Sequence, residues 1–246
     1  ALGNKNHVPT ALYNKMMHPL FKVPVKGVLW YQGESNTDNA AVAYAYRDQF
    51  KKLITHWRSK WQNKALPFFW VQLANFNSYK DEGDISPWAI LRESQAAALE
   101  LGNTGHAVTI DVGASDDIHP RNKQTVGQRL ALVALNKVYG KKSFRYRGPW
   151  LQDYVVDEQK IVVKLSTERL RLLDSLSGRV TGFAIAGTDR VFHPAQATIK
   201  DDKIIVWSEK VGKPIATRYA WSDDPKDANL FDANGFPAEP FRTDNW

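Results

Sequence analysis

The sequence contains no cysteine, which excludes from this chain a disulfide framework, a thiolate metal site and a cysteine nucleophile. No apolar run approaches the roughly 18 residues that span a bilayer. The polar opening Ala1-Leu2-Gly3-Asn4-Lys5-Asn6 lacks the apolar stretch of a signal peptide, so no membrane partner is expected. The histidines, at 7, 18, 56, 106, 119 and 193, show no paired ligand spacing, which disfavours zinc-assisted hydrolysis, and neither a metal nor another cofactor is expected. There is no internal repeat and no low-complexity tract. The formal charge of +7 comes from scattered lysines and arginines whose densest cluster, Lys141-Lys142 with Arg145 and Arg147, is short. Such a distribution describes a solvated basic surface and gives no nucleic-acid partner.

What is present is an alternation of apolar runs and helical stripes. Gly27-Val28-Leu29-Trp30-Tyr31, Phe68-Phe69-Trp70-Val71-Gln72-Leu73 and Ala107-Val108-Thr109-Ile110-Asp111-Val112 read as buried strands. Between the first two, Val42, Tyr46, Phe50, Leu53, Ile54, Trp57 and Trp61 recur at spacings of three and four and predict one long amphipathic helix, capped by Asp38 or Asn39. Ser86-Pro87 predicts the start of a second helix with its body from Trp88 to Leu101, and Gly102 its left-handed close. A third is expected after Pro120, turning Val126, Leu130, Val133 and Ala134 inward and stopping at Gly140.

This order argues for a parallel sheet covered by helices. Three strands make a small sheet that leaves apolar surface and an edge exposed, so an amino-terminal segment is expected to complete it. From about Trp150 the period changes to two, in Lys160–Leu165, Val180–Ala186 and Lys203–Trp207. Turn residues at Asp157-Glu158, Ser177-Gly178, Gly187-Thr188-Asp189 and Asp201-Asp202 punctuate the strands as in an antiparallel sandwich. Residues 1–148 are thus read as a partial α/β domain and 149–246 as a β-sandwich domain with its tail.

Ligands of open parallel sheets bind beyond the carboxyl ends of the strands. Here those ends lead into Gln32-Gly33-Glu34-Ser35-Asn36, Asn75-Phe76-Asn77-Ser78 and Gly113-Ala114-Ser115-Asp116-Asp117-Ile118-His119-Pro120. An imidazole preceded closely by carboxylates can have its tautomer fixed while its other nitrogen activates a hydroxyl, which makes His119 a candidate general base; alternatively Asp116 and Asp117 only cap the next helix. The Gln32 amide can donate to a developing oxyanion, Gly33 lets the backbone approach a ligand, and Glu34 can orient neighbours. Ser35 lies in Gly33-Glu34-Ser35-Asn36-Thr37, which lacks the closing glycine of a nucleophile elbow and matches that motif poorly.

These residues resemble the sialate O-acetylesterases, a branch of the SGNH or GDSL-like serine hydrolases. Gly27 through Asn36 is similar to their most specific string, and Asp117-Ile118-His119-Pro120-Arg121-Asn122-Lys123 with Val126-Gly127 to their histidine block. Leu66-Pro67-Phe68, Gln72-Leu73-Ala74, Leu91-Arg92-Glu93 with Gln95, Gly182 to Gly187 and the ending to Pro240-Phe241-Arg242 extend the likeness. The resemblance implies a flavodoxin-like three-layer α/β/α core, here partial, joined to an antiparallel β-sandwich. It further implies a carbohydrate O-acetylesterase working outside the cytoplasm, whether secreted, periplasmic or lysosomal, on O-acetylated sugars, with no cofactor.

Carried over by position, His119 is the base, Gln32 and the Gly33 region belong to the oxyanion hole, and Glu34 and Asn36 support that block. The superfamily's D-x-x-H spacing selects Asp116 as orienter of the imidazole, whereas the D-I-H-P string selects Asp117; Asp116 is favoured here and Asp117 taken as structural. The family's nucleophile lies in a Gly-Gln-Ser-Asn-Met string, and nothing of that form occurs in this sequence. The serine is accordingly expected from an amino-terminal segment or separate chain, and this chain alone is expected to be inactive. Sialic acid O-acetyl groups are the expected substrate. An acetylxylan esterase, and a non-catalytic protein whose nine tryptophans stack on sugars, are the alternatives.

Overall fold

Side chains of an extended segment alternate between two faces, and where both faces are covered every position must be apolar. Phe68–Val71 meets that condition and is buried throughout. In the computed structural model, which describes residues 8, 10–77, 85–167, 169–173 and 178–246, this segment is the middle strand β2 of a parallel sheet. It lies between β1, Val28–Trp30, and β3, Thr104–Ala107. Phe68 and Trp70 face helices α1, Ala40–Lys60, and α2, Pro87–Ala96, and share a core with Tyr46, Phe50, Ile54, Trp88 and Leu91. Phe69 and Val71 face the other way, onto Val126, Leu130 and Val133 of α3, Lys123–Lys137. These are the three layers expected.

The caps fall where hydrogen-bond chemistry places them. Asn39 accepts from Val42 N at 3.0 Å, Ser86 Oγ accepts from Ala89 N at 3.0 Å, and Asn122 accepts from Thr125 N at 3.1 Å. Gly140 takes a left-handed φ of 69° beyond α3, as expected. Two boundaries are corrected. α2 tightens into a short turn over Ala97–Glu100, and the left-handed residue that follows is Asn103, φ 56°, rather than Gly102. The third strand begins three residues before the expected run and ends at Ala107. Its polar members are buried by pairing, His106 with Glu239 at 2.9 Å, and the apolar residues Val108 and Ile110 leave the sheet to enter the sandwich core.

That core lies between two antiparallel sheets. In chain order the strands are β4, Leu151–Asp157; β5, Lys160–Leu165; β6, Leu170–Leu172; β7, Phe183–Ala186; β8, Phe192–Pro194; β9, Gln196–Lys200; β10, Lys203–Trp207; β11, Ala216–Tyr219; β12, Leu230–Asp232; and β13, Phe241–Arg242. One sheet runs β4-β5-β10-β9 and the other β13-β11-β7-β8, with β6 and β12 paired beside them. Ile161, Val163, Ile204 and Val206 from the first meet Phe183, Ile185, Tyr219 and Phe241 from the second. The expected turn at Ser177-Gly178 and the opening residues 1–6 include positions outside the described residues.

At the far side of the parallel sheet β1 pairs with β2 alone among the described strands, and Leu29 is 62% exposed. The small sheet therefore presents an open apolar edge.

The halves on either side of residue 148 are tied by buried charge. Glu239 accepts from Arg147 Nε at 2.5 Å and Nη2 at 2.9 Å, besides meeting His106 of β3. Burial alone would raise its pKa, but the charge of His106 and the hydrogen bonds from Arg147 and His106 outweigh it and hold the carboxyl at about 2. A carboxyl whose folded pKa lies below its unfolded value contributes stability above about pH 4.5 that is lost as the pH falls toward 2. Glu239→Gln is predicted to lower the melting temperature at neutral pH, with the gap to wild type closing between pH 4.5 and 2. A gap that stays constant over that window contradicts the assignment.

Candidate active site

All three strands of the parallel sheet end on one edge, and the loops that leave it are knitted together by side chains rather than by a ladder. Chain leaving β1 passes Gly33, where a Cβ would stand 2.6 Å from Leu91 Cδ2 and 3.3 Å from Gln95 Nε2. Glycine is needed here so that the turn can lie on α2. The Gln32 carbonyl accepts from Gln95 Nε2 at 3.2 Å and from Tyr46 Oη at 3.3 Å. The Gln32 side chain is fixed at both ends: Oε1 accepts from Tyr46 Oη at 2.9 Å, and Nε2 donates to Asn36 Oδ1 at 2.8 Å. Asn36 thus orients the amide. Burial pushes the Tyr46 hydroxyl up to about 12; the Trp30 indole bond acts the other way and the charge of Glu34 adds to the rise. It therefore stays a donor at any physiological pH.

Beyond β2, Leu73 N donates to Gln95 Oε1 at 3.0 Å, so one buried glutamine clamps the first two loops. Beyond β3, Thr109 Oγ1 donates to the Gln72 carbonyl at 2.6 Å, and Arg129 holds Asp111 through two bonds of 2.6 Å and the Val108 carbonyl at 2.6 Å. Gly113 N donates to Asn75 Oδ1 at 2.7 Å, and Asn77 N to the Ser115 carbonyl at 3.0 Å. Ser78, the last residue of the second loop as read from sequence, lies outside the described residues. At Gly113 a Cβ would come within 2.2 Å of the Asn75 carbonyl oxygen, so only glycine admits the contact.

The third loop then carries Ile118 inward, onto the cluster of Leu73 and Trp88, and turns His119 outward with its side chain 89% exposed. Asp117 Oδ1 accepts from the backbone N of His119 at 2.8 Å and stands 3.7 Å from its Nδ1. The carboxylate beside the ring is therefore that of Asp117, where the spacing argument had favoured Asp116. Asp116 is exposed and forms no hydrogen bond or ion pair among the described residues. Among the described residues no hydroxyl bonds the imidazole, and Ser35 is exposed without a histidine hydrogen bond. The described residues contain no group of three or more ligating side chains that could hold a metal ion.

The supports carry little signal in the sequence: Tyr46 falls in a core stripe, and Gln95 and Asn75 are polar residues without a motif of their own. Each is a polar group that has to be buried, which becomes visible only once the helices are placed.

Comparison with known proteins agrees with this architecture. Residues 4–136 match the family described as "Carbohydrate esterase, sialic acid-specific acetylesterase". The sialate O-acetylesterases of Homo sapiens and Pongo abelii are each 30% identical to this chain over 256 residues, and that of Mus musculus 29% over 263. Each of these alignments takes in 94% of this chain. The chain spans about half the length of these curated relatives, 47% or 48%. The crystal structure of a carbohydrate acetylesterase from Xanthomonas citri superimposes with a TM-score of 0.93 at 49% identity, covering 99% of this chain and 56% of that one. The fold is an SGNH-type α/β core followed by antiparallel β-sheets, as expected. The chain belongs to the sialic acid-specific acetylesterase family of carbohydrate esterases.

The close approach at Gly113 yields a test with an internal control. Gly113→Ala is predicted to cost about 1–3 kcal/mol by forcing the two loops apart. Gly127→Ala, on the open face of α3 with nothing within 4 Å, should be neutral or stabilise slightly. Equal urea midpoints for the two variants contradict this.

Proposed function

We propose that this chain forms the histidine-bearing part of a carbohydrate O-acetylesterase that removes acetyl esters from sugars, O-acetylated sialic acid in particular. One observation carries the reading. An exposed imidazole with a carboxylate at its Nδ1 side stands on the strand-end loop that is cross-linked to the Gln32–Asn36 turn through Gln72, Leu73 and Gln95. In this reading His119 Nε2 takes the proton of a serine hydroxyl as that oxygen attacks the acetyl carbonyl. The imidazolium then returns the proton to the departing sugar oxygen, and water, deprotonated the same way, releases acetate from the acyl-enzyme. Asp117 orients the ring and stabilises its charged form. Gln32, held by Asn36 and Tyr46, offers an amide hydrogen to the oxyanion, a contribution on the order of 3 kcal/mol.

The serine is proposed to come from a segment outside this sequence that packs on the open β1 edge beside Leu29, where a further strand finds unpaired backbone and apolar surface. His119→Ala in the complete protein should reduce kcat for p-nitrophenyl acetate by on the order of 10³-fold or more. Asp117→Asn should lower kcat on the order of tenfold or more, and Asp116→Asn far less. Undiminished turnover by His119→Ala overturns the proposal, and equal losses in the two aspartate variants overturn the role given to Asp117.

A further inference from the structure

The amino-terminal half of α1 and the second sandwich sheet enclose an aromatic groove. A hollow of about 240 Å³ is lined by Tyr44, Ile90, Trp221 and Trp246, and a second of about 290 Å³ continues it, the two sharing Phe192, Arg218 and Trp221. Together they reach the size range of ligand sites, which favour such junctions between structural units. The rings are held in place. Phe192 and Trp246 lie 6.4 Å apart and within 31° of parallel, the Arg218 guanidinium rests 3.8 Å from the Phe192 centroid, and that of Arg242 lies 5.1 Å from Trp221 and 5.7 Å from Tyr44.

The charges in the groove are not equivalent. Arg218 is matched by Asp244 at 2.8 Å and Arg242 by Glu93 at 3.0 Å, so both act chiefly as flat covers for the rings. Arg190, exposed and 4.9 Å over Trp246, forms no ion pair among the described residues. The groove and the candidate active site are built on the same core. Ala40, in its wall, follows the Glu34–Asn36 turn by four residues, and Trp221 packs on the same cluster as Ile118, the neighbour of His119.

Rigid aromatic faces edged by polar groups suit the apolar faces and hydroxyl rims of pyranose rings. An unpaired guanidinium adds a planar fork for a carboxylate. We propose that this groove binds the saccharide chain bearing the ester, with Arg190 pairing a sugar carboxylate, so that acidic oligosaccharides are preferred over neutral ones. The link to turnover rests on the esterase reading above; the binding itself does not.

The test uses the complete protein carrying His119→Ala, so that binding is measured apart from hydrolysis. Calorimetric titration with sialyllactose, trigalacturonic acid and lactose separates sialic acid from uronic acid and both from a neutral sugar. At least one acidic saccharide should bind on the order of tenfold or more tighter than lactose, and Arg190→Gln should remove that margin while Arg190→Lys keeps part of it. Phe192→Ala should weaken every saccharide that binds. Failure of both acidic probes to bind, affinity for lactose equal to theirs, or an unchanged margin in Arg190→Gln overturns the inference. Saccharide binding that persists in a protein shown to lack esterase activity would refute the proposed function and leave this groove standing.

Discussion

A guanidinium removed from water must be given acceptors in place of its hydration, and Arg92, fully buried on α2, donates its hydrogen bonds to backbone carbonyls. Nε donates to Leu73 O at 2.8 Å, Nη2 to Ala74 O at 2.9 Å and to Asp223 O at 2.8 Å, and Nη1 to Ser222 O at 2.6 Å. Burial depresses its pKa to about 9, with Asp223 and Asp224 pulling the other way, so it remains charged at neutral pH. The planar fork is what allows one side chain to bind two separate chain segments at once; a lysine would deliver a point charge without the fixed geometry. The segments are the loop after β2 and the loop between β11 and β12, and both are irregular backbone that water would otherwise have to solvate.

From this contact the rest of the edge follows. With Leu73 and Ala74 fixed, Asn75 is set to accept from Gly113 and to donate to Asp224 at 2.9 Å, and Ser86 caps α2 while donating to Asp223. Gly113 in turn sets the path of the loop that ends at His119. The sandwich is therefore more than an appended unit: its connecting loop supplies two of the carbonyls that accept from Arg92, and Glu93, one residue on, holds Arg242 of β13. Strand-end loops carrying polar groups are the mobile part of most α/β folds. Here buried polar clamps tie them to one another.

Much of this was readable from residues alone, and the division is physical. Amphipathic period, caps and two-residue alternation are local, so α1, the starts of α2 and α3, and β5 and β10 fall where pattern places them. β3 was displaced because Thr104-Gly105-His106-Ala107 is apolar only in company: His106 is buried against a carboxylate 133 residues away, while the more hydrophobic Val108 and Ile110 serve a different core. The same limit applied at the site. The histidine, the amide and the glycine stood out at strand ends, yet which of two adjacent aspartates stands beside the ring depends on the path of the loop, which places the Asp117 carboxylate 3.7 Å from Nδ1. Gln95, Arg92 and Asn75 carry no motif of their own; their importance comes from which carbonyls the fold leaves without partners.

The central claim is that His119 activates a serine lying outside these residues. A fluorophosphonate that reacts only with an activated serine, applied to the complete protein and followed by peptide mass mapping, tests it most directly. The account predicts a single labelled serine outside residues 1–246, with labelling lost in His119→Ala and preserved in Ser35→Ala. Label on Ser35, or labelling indifferent to the loss of His119, would contradict it.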